Sequence, residues 1–339
     1  MRPAADGPKP LIFAVLRLLA DGAFHSGEDM AARLGVSRAS VHNALAEAEG
    51  YGLTLFRVRG RGYCLKHAPE WLDAAEIGRH LGAQAGQFRI RVAESAPSSN
   101  TLLLREMAEG APGGSVLAVE WQSAGRGRMG RQWHSGLGNA LTFSLLWRFD
   151  CGLAGLSGMS LAVGVAIVRA LRAAGIAGAR LKWPNDVLDE QGAKLGGVLI
   201  EAQGDMLGPA AAVIGIGLNL ALPGAVAGRI DRPAAALAEM TAELPGRNRL
   251  LALLLLELKR VLDDFAARGF AALRAEWEAC HALQDQRVRL ALPDGSHVAG
   301  VARGVTDEGA LRLELASGSV QVFHAGEISL RAEADHAAA

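Results

Sequence analysis

Gly125-Arg126-Gly127-Arg128-Met129-Gly130 has the G-x-G-x-x-G spacing of a dinucleotide-binding fingerprint, yet the residues after it exclude that fold. Such a fingerprint opens a helix, whose N-terminus receives the pyrophosphate. Here Gln132 to Asn139 is polar and glycine-rich and runs into Leu141-Thr142-Phe143-Ser144-Leu145-Leu146-Trp147, an alternating, β-prone stretch. The loop must therefore join two strands. It offers backbone N–H groups bared by glycine, interleaved with Arg126, Arg128 and Arg131, and guanidinium groups grip carboxylate or phosphate. A basic surface turn is the plain alternative. The interleaving of arginine with glycine between strands favours an anion-binding loop.

Two further clusters invite chemistry. Lys182-Trp183-Pro184-Asn185-Asp186-Val187 ends one strand and Lys194-Leu195-Gly196-Gly197 starts the next. By composition the first is a hairpin, since Asn185 and Asp186 suit a turn and Pro184 a strand end. A lysine just ahead of two glycines and a buried strand is suited to a polyanionic ligand. Ile214 to Leu220 alternates with Gly215 and Gly217, which lets a backbone or a planar group lie against the strand.

At 339 residues, two or three domains are expected. Near the N-terminus, Leu11 to Leu19 has helical apolar spacing, Ser26 with Asp29 caps a second helix ending at Gly35, and Ser37 caps a third from Arg38 to about Glu49. This is a helix-turn-helix arrangement. Leu53 to Tyr63 then reads as two strands around a tip where Arg57, Arg59 and Arg61 alternate with residues able to pack, the wing of a winged helix. Ser37, Arg38, His42 and Asn43, with the three wing arginines, are the candidate DNA contacts; a small helical domain with a solvated hairpin is the alternative.

The middle, about Glu76 to Cys280, mixes strands at 115–120, 140–149, 179–183, 197–201 and 211–220 with long helices at 156–174 and 248–268, an α+β core with its helices gathered on one sheet face. Beyond Gln286, short alternating segments broken at Pro293-Asp294-Gly295, Asp307-Glu308-Gly309 and Ser317-Gly318 suggest a small β-barrel. Expected boundaries are 1–67, 76–280 and 284–333, with a frayed Ala-rich end.

Equal numbers of basic and acidic residues, 35 each, argue against non-specific coating of nucleic acid. Cys64, Cys151 and Cys280 are scattered without zinc spacing and read as ordinary buried thiols, so no resident metal site is expected. No apolar run reaches about eighteen residues and the N-terminus lacks the pattern of a signal peptide, so a cytoplasmic protein without membrane association is expected.

Taken together, the glycine-arginine loop, the Lys182–Asp186 segment with Lys194, and the Ile214–Leu220 strand resemble, in order and spacing, the biotin protein ligases. More narrowly they resemble the bacterial type whose N-terminal DNA-binding domain makes it the biotin operon repressor, and the similarity extends to Glu327-Ile328-Ser329-Leu330-Arg331 near the end. The resemblance implies a winged helix, a class II synthetase-like mixed sheet with helices and an SH3-like β-barrel. It implies adenylation of biotin by ATP with Mg2+, transfer to a lysine of the biotin carboxyl carrier protein of acetyl-CoA carboxylase, operator DNA as partner, and a homodimer when adenylate-bound.

By motif, Ser98, Ser99, Asn100 and Gln122 resemble the biotin pocket. Gly125, Arg126, Gly127 and Arg128 would hold the biotin carboxylate and the phosphate, and Lys194 would touch both reacting groups, so that Lys194, Arg128 and Arg126 carry the catalysis. Arg128, Arg131, Trp133, Asn185, Asp186 and Asn219 resemble the ATP side. Two departures stand out: Pro97 where the family usually has an acidic residue, and no tryptophan between Leu222 and Leu237 to stack on adenine. A biotin-sensing repressor without ligase activity and a lipoate or octanoate ligase or transferase are the alternatives.

Overall fold

The structure, a computed structural model, describes residues 7–230, 232–292, 294–324 and 329–332. Pro293 of the expected turn, Glu327 and Ile328 of the C-terminal motif and the Ala-rich end lie outside the described residues.

Local rules build the first unit. Helices α1 (Pro10–Leu18), α2 (Gly27–Leu34) and α3 (Arg38–Glu49) precede strands β1 (Leu55–Val58) and β2 (Gly62–Leu65), which pair antiparallel as the wing. Ser26 Oγ accepts the Asp29 N–H and Ser37 Oγ accepts the Ser40 N–H, both at 3.0 Å, satisfying helix N-terminal donors that would otherwise be orphaned. Gly35 closes α2 in the left-handed conformation that disfavours a side chain. Phe13, Val15, Leu16, Met30, Val41 and Leu45 form the core, and Trp121 and Leu137 of the next unit join it.

The central unit runs α4 (Ala74–Leu81), β3 (Arg89–Ala96), α5 (Ser99–Ala108), β4 (Ser115–Gln122), β5 (Ala140–Phe149), α6 (Met159–Ala173), β6 (Arg180–Lys182), β7 (Asp186–Leu188), β8 (Lys194–Gly204), β9 (Ala210–Asn219), α7 (Gly224–Ala227), α8 (Arg247–Arg268) and α9 (Arg274–Cys280). Its seven-stranded sheet has the order β3-β4-β5-β9-β8-β7-β6, with β3 and β4 parallel and the other pairs antiparallel.

Side chains alternate across a strand, so each strand serves two faces. Leu141, Phe143 and Leu145 of β5 and Ile214, Ile216 and Leu218 of β9 enter the large core beneath α6 and α8. Leu146 and Val213 join Leu103 and Met107 of α5 in a separate cluster. The expectation of helices on one face is thus corrected: α5, the crossover between parallel β3 and β4, covers the opposite face. β8 also begins at Lys194, three residues before the expected start.

Five further strands, β10 (Arg287–Ala291), β11 (His297–Val305), β12 (Leu311–Glu314), β13 (Val320–Phe323) and β14 (Ser329–Ala332), form an antiparallel sheet in the order β13-β12-β11-β10-β14. Val288, Leu290, Val305, Leu311 and Leu313 are continuous with the central core. Trp183, fully buried, donates its indole N–H to Gly309 O at 3.1 Å and so ties the Lys182–Asp186 hairpin to this sheet.

Candidate active site

The faces of β5, β8 and β9 turned away from the large core, together with the α5 N-terminus, the glycine-arginine loop and the β6–β7 hairpin, enclose a cleft of about 1360 Å³. Its floor is polar and buried. Ser98 caps α5, the Ser99 N–H donates to Gln122 Oε1 at 2.6 Å, and Ser144 Oγ donates to Asn100 Oδ1 at 2.5 Å and is hydrogen-bonded to Ser99 Oγ at 2.8 Å. Asn100 Nδ2 in turn donates to Leu199 O at 3.2 Å and Glu201 Oε2 at 2.9 Å. Gly215 opens the space for this group, because a Cβ there would lie 2.2 Å from Asn100 Oδ1. Pro97, the departure from the family pattern, lies at a bend just after β3, and its carbonyl accepts from Ala124 N–H at 2.9 Å.

Gly217 makes the second close approach: a Cβ there would sit 2.6 Å from the Trp133 ring. The planar group that the Ile214–Leu220 glycines admit is thus the chain's own indole, which walls the cleft. The loop closes on itself through Trp133 N–H to Gly125 O at 2.9 Å and Gly127 N–H to Arg131 O at 2.7 Å. Gly125 sits at this neck, away from the cleft lining, where a Cβ would meet Trp133 O at 2.6 Å. Gly127, Arg128 and Arg131 line the cleft. Burial pulls the Arg128 pKa down and nearby Arg131 adds to this, against the opposing pull of Asp186. Arg126 lines the cleft too, but its guanidinium is engaged by Glu201, with Nη2 at 2.9 and 2.7 Å from the two carboxylate oxygens.

Across the cleft the β6–β7 hairpin brings Asp186 against Lys194 in a hydrogen-bonded ion pair, with Lys182 at 3.4 Å. Burial raises the Asp186 pKa, but Lys194 and Lys182 outweigh it and the net shift is downward. For Lys194, burial dominates and lowers the pKa, with Asp186 opposing. The amides of Asn185 and Asn219 support the lysine's strand: Asn185 Nδ2 donates to Val198 O at 2.8 Å, and Asn219 Nδ2 to Ala235 O at 3.1 Å and Lys194 O at 3.3 Å. Sequence reasoning missed Ser144, Glu201 and His281, and named Lys182 only as a member of its cluster, without a role. The polar half of the β5 alternation was the available signal for Ser144; Glu201 had none.

At the far end His281, 6% exposed, stacks on Trp277 at 4.5 Å between centroids, and neither ring nitrogen has a hydrogen-bond partner. Burial pushes its pKa from 6.5 to about 4, despite Gln284 and Asp285 nearby. As pH falls below 6.5 the unfolded chain binds this proton first. Stability therefore declines from pH 6.5 down to about 4, by up to about 3 kcal/mol, and is insensitive to this group above 6.5. Urea midpoints across that range are expected to flatten in His281→Phe; an acid dependence equal to that of the parent would assign the lability elsewhere.

In the N-terminal unit Arg38, Ala39, His42 and Asn43 are exposed on α3, as expected. The wing differs from expectation. Phe56 and Val58, which flank Arg57, are 47% and 41% exposed and so do not pack inward. Arg38 pairs with Glu28 at 3.1 Å, Arg57 with Glu49 at 2.8 Å, and Arg61 lies over the Phe24 ring at 4.3 Å. Arg59 is exposed at the tip. Cys151 is half-buried, whereas Cys64 and Cys280 are buried thiols as expected.

A model of the biotin/lipoate A/B protein ligase family matches residues 92–219, one of the biotin protein ligase C-terminal domain matches 285–331, and one of an HTH domain matches 12–64. The chain is 36% identical over 326 residues to the bifunctional ligase/repressor BirA of Escherichia coli, covering 96% of this chain and 98% of that one. It is 34% identical over 253 residues to the biotin–[acetyl-CoA-carboxylase] ligase of Mycobacterium tuberculosis, covering 73% and 91%. The biotin protein ligase of Aquifex aeolicus, solved in complex with biotin and ATP, superposes with a TM-score of 0.60 at 25% identity over 72% of this chain and 99% of that one. Near-complete mutual coverage at 36% identity, with the winged helix, the ligase core and the C-terminal sheet in the same order, means that this chain belongs to the biotin protein ligase family, in its group of bifunctional ligase/repressors.

Proposed function

We propose that this chain activates biotin with ATP to biotinyl-5′-AMP, transfers the biotinyl group to a lysine of the biotin carboxyl carrier protein of acetyl-CoA carboxylase, and represses transcription through its winged helix. The observation that carries the reading is the half-buried Lys194–Asp186 pair facing the glycine-arginine loop across one cleft.

A biotin carboxylate oxygen attacks the α-phosphorus, the bond to the bridging oxygen breaks, and pyrophosphate leaves. The carrier amine then attacks the acyl carbon, AMP departs and the amine loses its proton. Neither step needs a covalent enzyme intermediate; positioning and charge neutralisation suffice. The buried floor from Ser98 to Asn100 with Gln122 suits the polar end of biotin, and Trp133 walls it. Lys194 places an ammonium beside the reacting oxygens, and Asp186 opposes the loss of its proton that burial favours. Gly127 and Arg128 face the phosphate. Among the described residues no group of three or more His, Cys, Asp or Glu could hold a metal. Mg2+ would come with ATP and neutralise phosphate charge, and Asp186, a carboxylate of the cleft lining, would be the residue to meet it.

Biotin-stimulated ATP–pyrophosphate exchange tests the reading. Exchange stimulated by lipoate or octanoate instead would replace it, and biotin binding without exchange would leave only a sensor. Among the described residues no helix is long and apolar enough to cross a membrane.

For DNA, adenylate-bound dimers would place two winged helices on half-sites about one helical turn, or a multiple, apart. Arg59→Ala is expected to weaken operator and non-operator binding alike and to reduce the salt slope by about one. A slope unchanged between 50 and 200 mM salt would remove Arg59 from the phosphate contacts.

A further inference from the structure

The guanidinium that the sequence assigns to the ligand's anions is already engaged. Arg126 Nη2 spans both oxygens of Glu201, and Glu201 Oε2 also accepts from Asn100 Nδ2 at 2.9 Å. Asn100 Oδ1 accepts from Ser144, whose hydroxyl is also hydrogen-bonded to that of Ser99. A hydrogen-bonded chain thus runs from the cleft floor through one carboxylate to the first arginine of the loop. The pair is only partly screened, with side-chain exposures of 44% for Arg126 and 28% for Glu201, and Asn100 fixes the carboxylate's position from the buried side. Register explains the placement: Glu201 lies opposite Val213, on the same sheet face as Leu199 opposite Gly215, so β8 carries it up beside the cleft.

We propose that Glu201 is a positioning residue that latches the glycine-arginine loop over the cleft by holding Arg126, and so sets how long the acyl-adenylate is retained. The inference rests on the ligase reading for its adenylate readout and on the ion pair for its loop readout. An arginine chelated by a carboxylate has its charge met within the protein. The direct grip on phosphate then falls to the loop backbone and to Arg128, and Arg126 serves by fixing the loop's position.

The sign of one variant separates this from direct ligand binding by Arg126. Glu201→Gln keeps the size of the side chain, turns one of its two acceptor oxygens into an NH2 donor and removes its charge. With the latch, adenylate dissociation quickens by about fivefold, the upper range for a partly exposed ion pair, and the rate of pyrophosphate release changes less than the dissociation rate does. If Arg126 instead grips the ligand and Glu201 competes with it, the same variant releases adenylate more slowly. Slower release, or release within about twofold of the parent, overturns the proposal.

A second readout needs no ligand. Trypsin cleavage after Arg128 or Arg131 is expected to be about fivefold faster in ligand-free Glu201→Gln, and to be slowed again at those same two bonds in the exchanged pair Glu201→Arg with Arg126→Glu. Equal cleavage rates in the parent and Glu201→Gln overturn the latch. If the parent makes no adenylate, the ligase reading fails, and the trypsin comparison still decides the latch.

Discussion

Replacing Lys194 with alanine is expected to lower biotin-dependent pyrophosphate release by at least about a hundredfold, the usual consequence of removing one preorganised charge donor from a reaction centre. The loss should fall on the chemical step. The ammonium lies in the cleft, held by Asp186, and its strand is braced from both sides by the amides of Asn185 and Asn219. The fold should survive, because Asp186 keeps Lys182 at 3.4 Å and is not left alone in the interior. Single-turnover pyrophosphate release alongside a thermal melt checks both halves. Release at the parental rate would remove Lys194 from the reaction.

The largest stability effect is expected far from the chemistry. Arg247, at the start of α8, pairs with Glu120 of β4 at 2.7 Å, with 5% and 1% of the two side chains exposed. The same arginine donates to Glu70 O at 2.8 Å and Ala140 O at 3.0 Å, and Glu120 Oε1 accepts the Leu72 N–H at 2.7 Å. Next to it Asn248 bonds Glu70, Trp71 O and the Asp73 N–H. This network clamps the segment joining the winged helix to the catalytic core. Arg247→Ala strands a buried carboxylate and is expected to destabilise the core by about 3–5 kcal/mol. The double variant Arg247→Met with Glu120→Gln, which removes both charges, should recover most of that loss. Urea unfolding followed by a signal from the core reads the difference; a single variant within about 1 kcal/mol of the parent would mean that the pair contributes little.

Features that depend on neighbours in the chain were legible. The Ser26 and Ser37 caps, the arginine-bearing turn between two strands and the apolar alternation of β5 and β9 all stand where the sequence puts them. Arg89-Ile90-Arg91-Val92 alternates too and went unread as β3, and α5 was read only as a pocket-lining stretch. Missing that strand–helix unit placed every helix on one face. The wing arginines were located correctly, but the pairing of Arg57 with Glu49, the stacking of Arg61 on Phe24 and the pairing of Arg38 of α3 with Glu28 were not foreseen.

The sequence alone determined the loop's chemistry and excluded a dinucleotide fold, because glycine freedom, capping and strand period act over a few residues. It also placed Lys194 ahead of a glycine-bearing strand. Only the tertiary structure decided that Arg126 meets Glu201, 75 residues away, and that Arg247 meets Glu120, 127 residues away. Such pairs follow from sheet order and register, which the whole core sets when it closes, and no local pattern in the chain encodes them.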